Sequence, residues 1–303
     1  MTTDSAPFSC APTVQIEISR LSIAFRALGL DSPERDARLL VAAALGAGTA
    51  ALLRDPERTL SQDERERLSR FEARRLRREP VSRILGHRDF FGRAFAIDPA
   101  TLDPRPETET LVEVALDIAR REGWRDNPIR ILDIGTGSGS LLVTLLAELP
   151  LATGLGTDIS GPALDQARAN AATHGVSERA RFEQRAASAP PAQGFDLLVS
   201  NPPYVRTDDI AGLAPEVRDY DPVSALDGGP DGFDIYRDIA RHASSTIPDG
   251  WIVIESGAGQ AADLAALLCA ETGAGPQHLE LHRDLGGHIR CVAMRTQRIL
   301  GVC

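Results

Sequence analysis

Two hydrophobic periods divide this chain. From residue 16 to about 78 apolar side chains recur three and four positions apart: Ile18, Leu21, Ala24, Phe25 and Leu28 run up to Gly29, and Ala37, Leu39, Leu40, Ala43 and Leu45 follow Ser32-Pro33-Glu34-Arg35. That spacing predicts helices, with Ser32 as an N-cap and Pro33 in the first turn. Ser61-Gln62-Asp63-Glu64 is a capping-box start for an arginine-rich helix through about Arg78. Three or four short helices of this kind make a small bundle. Beyond residue 129 the period changes. Short apolar runs at 129–134, 153–157, 180–184, 195–200 and 251–255 alternate with helical patterns at 141–149, 163–173, up to about 244, and 258–268. Buried strands alternating with helices predict a doubly wound α/β layer with a parallel sheet. The closing runs, about 278–282 and 290–294, are joined through Leu285-Gly286-Gly287 with no helix between them and are therefore antiparallel.

Between the two patterns, Glu79-Pro80 marks a boundary and residues 88–97 read as a hairpin turning near Gly92. Leu102-Asp103-Pro104-Arg105-Pro106-Glu107-Thr108-Glu109 then leads into an amphipathic helix carrying Val112, Val114, Ala115 and Ile118. The resulting division is residues 1–14 disordered, 15–79 helical, 80–104 a linker with the hairpin, and 105–303 the α/β domain.

Composition narrows the chemistry. With 303 residues and 43% hydrophobic content the chain is an ordinary globular protein with room for two domains. No apolar run reaches membrane-spanning length and residues 1–12 lack the basic start and apolar core of a secretion signal, so the cytoplasm is the default location. Cys10, Cys269, Cys291 and Cys303 form no C-x-x-C pair and indicate neither zinc nor a disulfide framework; packing or surface positions are expected. All 33 basic residues are arginine, which removes P-loop, Schiff-base and lysine-base chemistry. A net charge of −10 argues against a broad phosphate-binding surface. Residues 17–80 hold 13 arginines against 11 acidic residues, a mild basic excess. Within it Arg74, Arg75, Arg77 and Arg78 are expected to form a solvated face rather than a binding stripe.

Three features converge on the carboxyl edge of the predicted sheet, where open α/β sheets bind ligands. The first strand ends in Asp133-Ile134-Gly135-Thr136-Gly137-Ser138-Gly139, a glycine-rich turn that lets a ligand approach the backbone at a helix N-terminus. The second ends at Asp158, placed to meet ribose hydroxyls. The fourth stops in Asn201-Pro202-Pro203-Tyr204. Neither proline can donate to a ladder, so the strand ends there. Asn201 and the Pro202 carbonyl are acceptors, and Tyr204 is an aromatic wall: together they suit a planar NH2 group. The long connection at 205–230 is expected to cover the site. Pro104-Arg105-Pro106 presents one guanidinium able to hold a carboxylate bidentately, or to bridge the helix and hairpin. Together these features suit methyl transfer from S-adenosylmethionine to a planar nitrogen, with no metal required.

At these motifs the chain resembles the release-factor glutamine methyltransferases, the PrmC or HemK family. The resemblance runs along most of its length. It is carried by Glu79-Pro80-Val81 with Ile84-Leu85-Gly86, Phe90-Phe91-Gly92, Pro104 to Glu109, Asp133 to Gly139, Asn201 to Tyr204, Val217-Arg218-Asp219-Tyr220, Ala225-Leu226-Asp227-Gly228-Gly229, and Asp284-Leu285-Gly286-Gly287 with Arg290. The resemblance implies a class I methyltransferase fold, Rossmann-like, with a seven-stranded mostly parallel sheet, an antiparallel terminal strand and an N-terminal helical bundle that docks the partner. It implies methylation of the glutamine in the Gly-Gly-Gln motif of class I release factors by a monomer acting on protein, not nucleic acid. Asn201, Pro202 and Tyr204 would be catalytic, with Pro203 and Arg105 joining them on the substrate. Asp133, Gly135, Thr136, Gly137, Ser138, Gly139, Asp158, Ala186 and Asn201 would hold the cofactor. The family usually carries Ser-Asp-Trp after its third strand; here the last two positions are Arg185 and Ala186, so adenine contact is expected through backbone or a small side chain near Ala186. Three alternatives stay open: an amino-methyltransferase of DNA or RNA, a noncatalytic module with weakened cofactor binding, and, least favoured, a nicotinamide dehydrogenase.

Overall fold

The computed structural model describes residues 12–191 and 194–296, which fold as two compact units divided between Gly86 and His87. Most of the segment 1–14, together with Cys10 and Cys303, lies outside the described residues. The first unit is helical: α1 (Val14–Ala27), α2 (Pro33–Ala44), α3 (Thr49–Arg54), α4 (Gln62–Arg75) and a short α5 (Val81–Leu85). Leu21, Phe25, Leu40, Val41 and Leu68 close its core. The Ser61 side chain and Glu64 form the reciprocal capping box that starts α4, and Gly29 takes a left-handed φ of 71° just past α1.

Of the arginines at the end of α4 only Arg77 is exposed as a solvated face would be; Arg74, Arg75 and Arg78 are turned into the unit. Arg74 pairs with Glu79 and also donates to the carbonyls of Arg83 and Ile84. Arg75, 6% exposed, holds Asp36 at 2.8 Å, and Arg78 reaches the Leu28 carbonyl. A guanidinium has five donors. Here those donors satisfy helix-end carbonyls and a carboxylate inside the unit, which charge counting along the sequence does not reveal.

The second unit opens with the hairpin β1 (His87–Phe90) and β2 (Arg93–Ala96). Its two-residue turn, Phe91-Gly92, has φ of 49° and 72°. Two positive φ values are the mark of a hairpin turn matched to strand twist, and the unusual one at Phe91 is held by its N–H donating to Glu109 Oε1 at 3.0 Å. After α6 (Glu109–Arg121) come β3 (Arg130–Ile134), α7 (Ser140–Glu148), β4 (Thr153–Asp158), α8 (Gly161–Thr173), β5 (Ala180–Gln184), β6 (Leu197–Ser200), α9 (Pro215–Arg218), α10 (Asp234–Thr246), β7 (Gly250–Glu255), α11 (Ala261–Thr272), β8 (Leu279–Arg283) and β9 (Ile289–Thr296).

The seven strands lie in the order β5-β4-β3-β6-β7-β9-β8. The first five are mutually parallel, β9 runs antiparallel to β7, and β8 pairs antiparallel with β9. The period-2 rule explains how continuous apolar runs serve both faces. Ile131, Leu197, Val199, Trp251 and Val253 face one helical layer with Leu111, Ile118, Leu142 and Leu145. Leu132, Leu198, Ile252 and Ile254 face the other with Tyr236, Ile239, Leu264 and Leu268. Strand order reverses between β3 and β6, so the crevice outside their carboxyl ends is the switch point at which such sheets take ligands.

Candidate functional site

A cleft opens at that switch point, lined by Gly135 to Ser138, Asp158, Ser160, Arg185, Thr108 and Asn201 to Pro203, with Ser224 and Ala225 added by the 205–230 connection. The glycine turn leaves β3 with Gly135, Gly137 and Gly139 at φ of 73°, 54° and 79°. The Gly135 and Thr136 N–H groups both donate to the Thr157 carbonyl, tying the turn to β4. A Cβ at Gly135 or Gly137 would meet nothing within 4 Å, so the turn presents bare backbone to open space. A Cβ at Gly139 would press on Ala167 of α8 at 3.1 Å, so this glycine serves close helix packing instead. Asn170 of α8 holds the arrangement from behind, donating to the Ser138 and Ala96 carbonyls at 2.8 and 2.9 Å.

At the end of β4, Asp158 accepts the Gly137 N–H on Oδ2 and the Ser160 N–H on Oδ1, each at 2.9 Å. Both oxygens keep further lone pairs for ligand hydroxyls. Bare glycine backbone at a helix start, a fixed carboxylate and an apolar neighbour, Ile159, fit the amino-acid, ribose and base portions of an adenosine-containing cofactor.

Asp133 lies behind the glycine turn. It is fully buried, and its Oδ2 accepts the Thr136 hydroxyl at 2.6 Å. Burial pushes its carboxyl up to about 7, opposed by that hydrogen bond. Because the folded state favours the neutral form, the stability this group contributes is complete below the ordinary carboxylate range and is lost as pH rises to about 7. Asp133→Asn is therefore expected to raise the melting temperature at pH 8 and to converge on the parent near pH 4. Thermal unfolding at the two pH values checks this.

On the other wall, Asn201 follows β6 directly. Its Nδ2 donates to Thr108 Oγ1 at 3.0 Å, and Thr108 Oγ1 in turn donates to Glu255 Oε2 at 2.6 Å. Glu255 ends β7, is 1% exposed, and takes the Tyr204 hydroxyl on Oε1 at 3.3 Å. Burial pushes its carboxyl up to about 7; the bonds from Thr108 and Tyr204 and the charge of Arg290 oppose the shift. Burial, with the Glu255 carboxylate beside it, pushes the Tyr204 phenol up, so it stays a donor. Among the described residues no hydrogen bond is made to the Pro202 carbonyl or to Asn201 Oδ1. The backbone after Pro203 is clamped by residues 226–228: Val205 N–H donates to the Leu226 carbonyl and Gly228 N–H to the Val205 carbonyl.

Of the residues singled out in the sequence, Gly135, Thr136, Gly137, Ser138, Asp158, Asn201, Pro202 and Pro203 meet in this cleft. Asp133 and Gly139 support it from below. Tyr204 packs into the core beside α10 rather than walling the cleft, its ring held by Glu255. Arg105 does hold a carboxylate, but the chain's own: it pairs with Asp221, whose Oδ1 also accepts the Asp103 N–H, and so fastens the Pro-Arg-Pro loop to the 205–230 connection. After β5, Arg185 and Ala187 line the cleft and Ala186 does not. Arg185 is paired with Glu183 at 2.6 Å. Sequence reasoning missed Thr108 and Glu255 as site residues. The signal for Glu255 was present: a carboxylate closing the apolar run Trp251-Ile252-Val253-Ile254, the same feature that singled out Asp158.

This order of strands, with a glycine turn after the first parallel strand and an acid after the second, defines a class I methyltransferase fold. Residues 131–220 match a family model described as methyltransferase domain, and residues 18–86 one described as PrmC N-terminal domain. A crystal structure of the hMettl16 catalytic domain in complex with MAT2A 3′UTR hairpin 6 shares the fold, with a TM-score of 0.56 at 17% identity over 77% of this chain and 84% of that one. The release factor glutamine methyltransferase of Rhodospirillum rubrum is 46% identical, covering 89% of this chain and 81% of its own. That of Bradyrhizobium diazoefficiens is 45% identical over 84% and 86%, and that of Agrobacterium fabrum 39% over 93% and 97%. The chain belongs to the release factor glutamine methyltransferase family.

Proposed function

We infer that this chain transfers a methyl group from S-adenosylmethionine to the side-chain amide nitrogen of a glutamine in class I release factors, the glutamine of their Gly-Gly-Gln motif. The observation that carries the reading is the pairing, in one cleft, of two uncommitted acceptors, Asn201 Oδ1 and the Pro202 carbonyl, with the glycine turn and Asp158. The cofactor supplies an electrophilic methyl group on a sulfonium. Gly135 and Gly137 would give it bare backbone to approach, and Asp158 would accept from its ribose.

An amide nitrogen is a poor nucleophile because its lone pair is shared with the carbonyl. Asn201 Oδ1 and the Pro202 carbonyl each accept one of its two N–H hydrogens. This raises electron density on nitrogen and orients the lone pair for in-line attack, where positioning supplies much of the rate. The proton leaves to solvent after transfer, when the nitrogen carries positive charge. The N-terminal helical unit docks the release factor, and a monomer suffices for the reaction.

The test is transfer of labelled methyl from S-adenosylmethionine to purified class I release factor, with duplex DNA and ribosomal RNA as parallel acceptors. Label is expected in the protein alone, in keeping with a net charge of −10. Label in nucleic acid and none in the factor would overturn the reading.

A further inference from the structure

We propose that Glu255, acting through Thr108, fixes which end of the Asn201 side-chain amide faces the cleft, so that both are positioning residues for methyl transfer. The inference rests on the methyltransferase reading and deepens it. Its basis is the direction of a three-member hydrogen-bond chain. A carboxylate can only accept, and Glu255 spends its two oxygens on Thr108 at 2.6 Å and Tyr204 at 3.3 Å. Thr108 has one hydroxyl proton, and Glu255 takes it. Toward Asn201 the Thr108 oxygen can then only accept, so the NH2 end of Asn201 must face it, at 3.0 Å. Oδ1 is thereby left as the acceptor for the substrate amide.

Protonating Glu255 reverses the chain. The new carboxyl proton finds its nearest acceptor in Thr108 Oγ1, and the Thr108 proton turns to Asn201. A half-turn of the Asn201 amide then puts Oδ1 on Thr108 and presents NH2 to the substrate NH2. Two donors facing each other cannot hold the nucleophile, so transfer stops. The groups facing Glu255 decide where this happens: Glu107 from the Pro-Arg-Pro loop, Tyr204 after β6, Tyr236 on α10, and Arg290 and Cys291 on β9. Tyr236 donates its hydroxyl to the Glu255 main-chain carbonyl at 3.1 Å, and Arg290 is itself tied to Asp284 at 3.2 Å. Burial outweighs the single arginine, and the carboxyl is pushed up to about 7.

Two measurements test the proposal. In the first, kcat at saturating S-adenosylmethionine is followed from about pH 5.5 to about pH 8.5 for the parent, Glu255→Gln, Thr108→Val and Thr108→Ser. The parent is expected to lose activity below about pH 7. Glu255→Gln should lower kcat and lose this acid limb, since its amide can accept from Thr108 through only one of its two ends and no longer titrates. Thr108→Val should lower kcat by about ten- to a hundredfold with the cofactor KM unchanged, and Thr108→Ser should restore it. An acid limb that persists in Glu255→Gln, or a Thr108→Val enzyme as fast as its parent, would overturn the relay. The second measurement needs no turnover: the side-chain amide resonance of Asn201 should shift with a midpoint near neutral pH in the parent and not in Glu255→Gln. A resonance that titrates identically in both would overturn it equally. A parent that moves no methyl yet shows this titration would leave the relay standing and sink only the assigned reaction.

Discussion

Replacing Asn201 by alanine is expected to lower kcat by about 10²- to 10³-fold, or about 2.7–4 kcal/mol of transition-state stabilisation, while the Kd for S-adenosylmethionine changes by less than about threefold. The asymmetry follows from where the residue sits. Its Nδ2 is committed to Thr108, and its Oδ1 is one of only two acceptors assigned to the substrate nitrogen. The glycine turn and Asp158, which are assigned to the cofactor, are held by Thr157, Ser160 and Asn170 and do not depend on it. Truncation also leaves the Thr108 oxygen with no donor, but that loss is local and leaves the sheet intact. Single-turnover transfer and calorimetric titration separate the two effects. Comparable losses in rate and in cofactor affinity would contradict the role given to Asn201.

Gly232→Ala is expected to abolish activity and to destabilise the fold by about 3 kcal/mol. Gly232 has φ of 80°, a region alanine enters only with strain, and an added Cβ would stand 2.5 Å from the Tyr204 carbonyl oxygen. That carbonyl is part of the backbone that positions Pro202 and Pro203, and it already accepts from Gln260 Nε2 at 3.1 Å. Neighbouring Gly228 is packed as tightly, with a Cβ there 2.8 Å from Tyr204 Cα. Gly228 and Gly232 are therefore a mould for the end of the Asn-Pro-Pro-Tyr turn. Denaturant unfolding and transfer assays on the variant check both parts; a variant with parental stability and rate would show that the turn tolerates displacement.

The parts of this molecule that were legible in its sequence are those set by local rules. Strand runs ended by Gly, Asp or Asn-Pro-Pro announce themselves, because proline cannot continue a ladder and glycine turns the chain where a side chain would clash. Hence β3 with its glycine turn, β4 with Asp158 and β6 with Asn201 were all readable, and the alternation with helices placed their ends on one edge. What was not readable depends on partners far along the chain. Thr108 and Glu255 are 147 residues apart and meet because α6, which follows Thr108, packs against β7. Arg105 looked available to a ligand because its partner Asp221 lies 116 residues on, in a connection without regular strand or helix pattern. Arg74 and Arg78 looked solvated because carbonyl acceptors at helix ends carry no sequence signature. After β5 the cleft is lined by Arg185 and Ala187 and not by Ala186, a choice that the irregular stretch there hides from the sequence.

The two acceptors of the cleft, Asn201 Oδ1 and the Pro202 carbonyl, are assigned to the amide of one particular glutamine. The measurement that tests this assignment most directly is peptide mapping by tandem mass spectrometry of a class I release factor after incubation with the enzyme and S-adenosylmethionine, beside a factor whose Gly-Gly-Gln glutamine is changed to alanine. One methyl group on the side-chain nitrogen of that glutamine, and none anywhere in the alanine form, is the predicted result. Equal methylation of the two factors, or methylation at another residue, would contradict it.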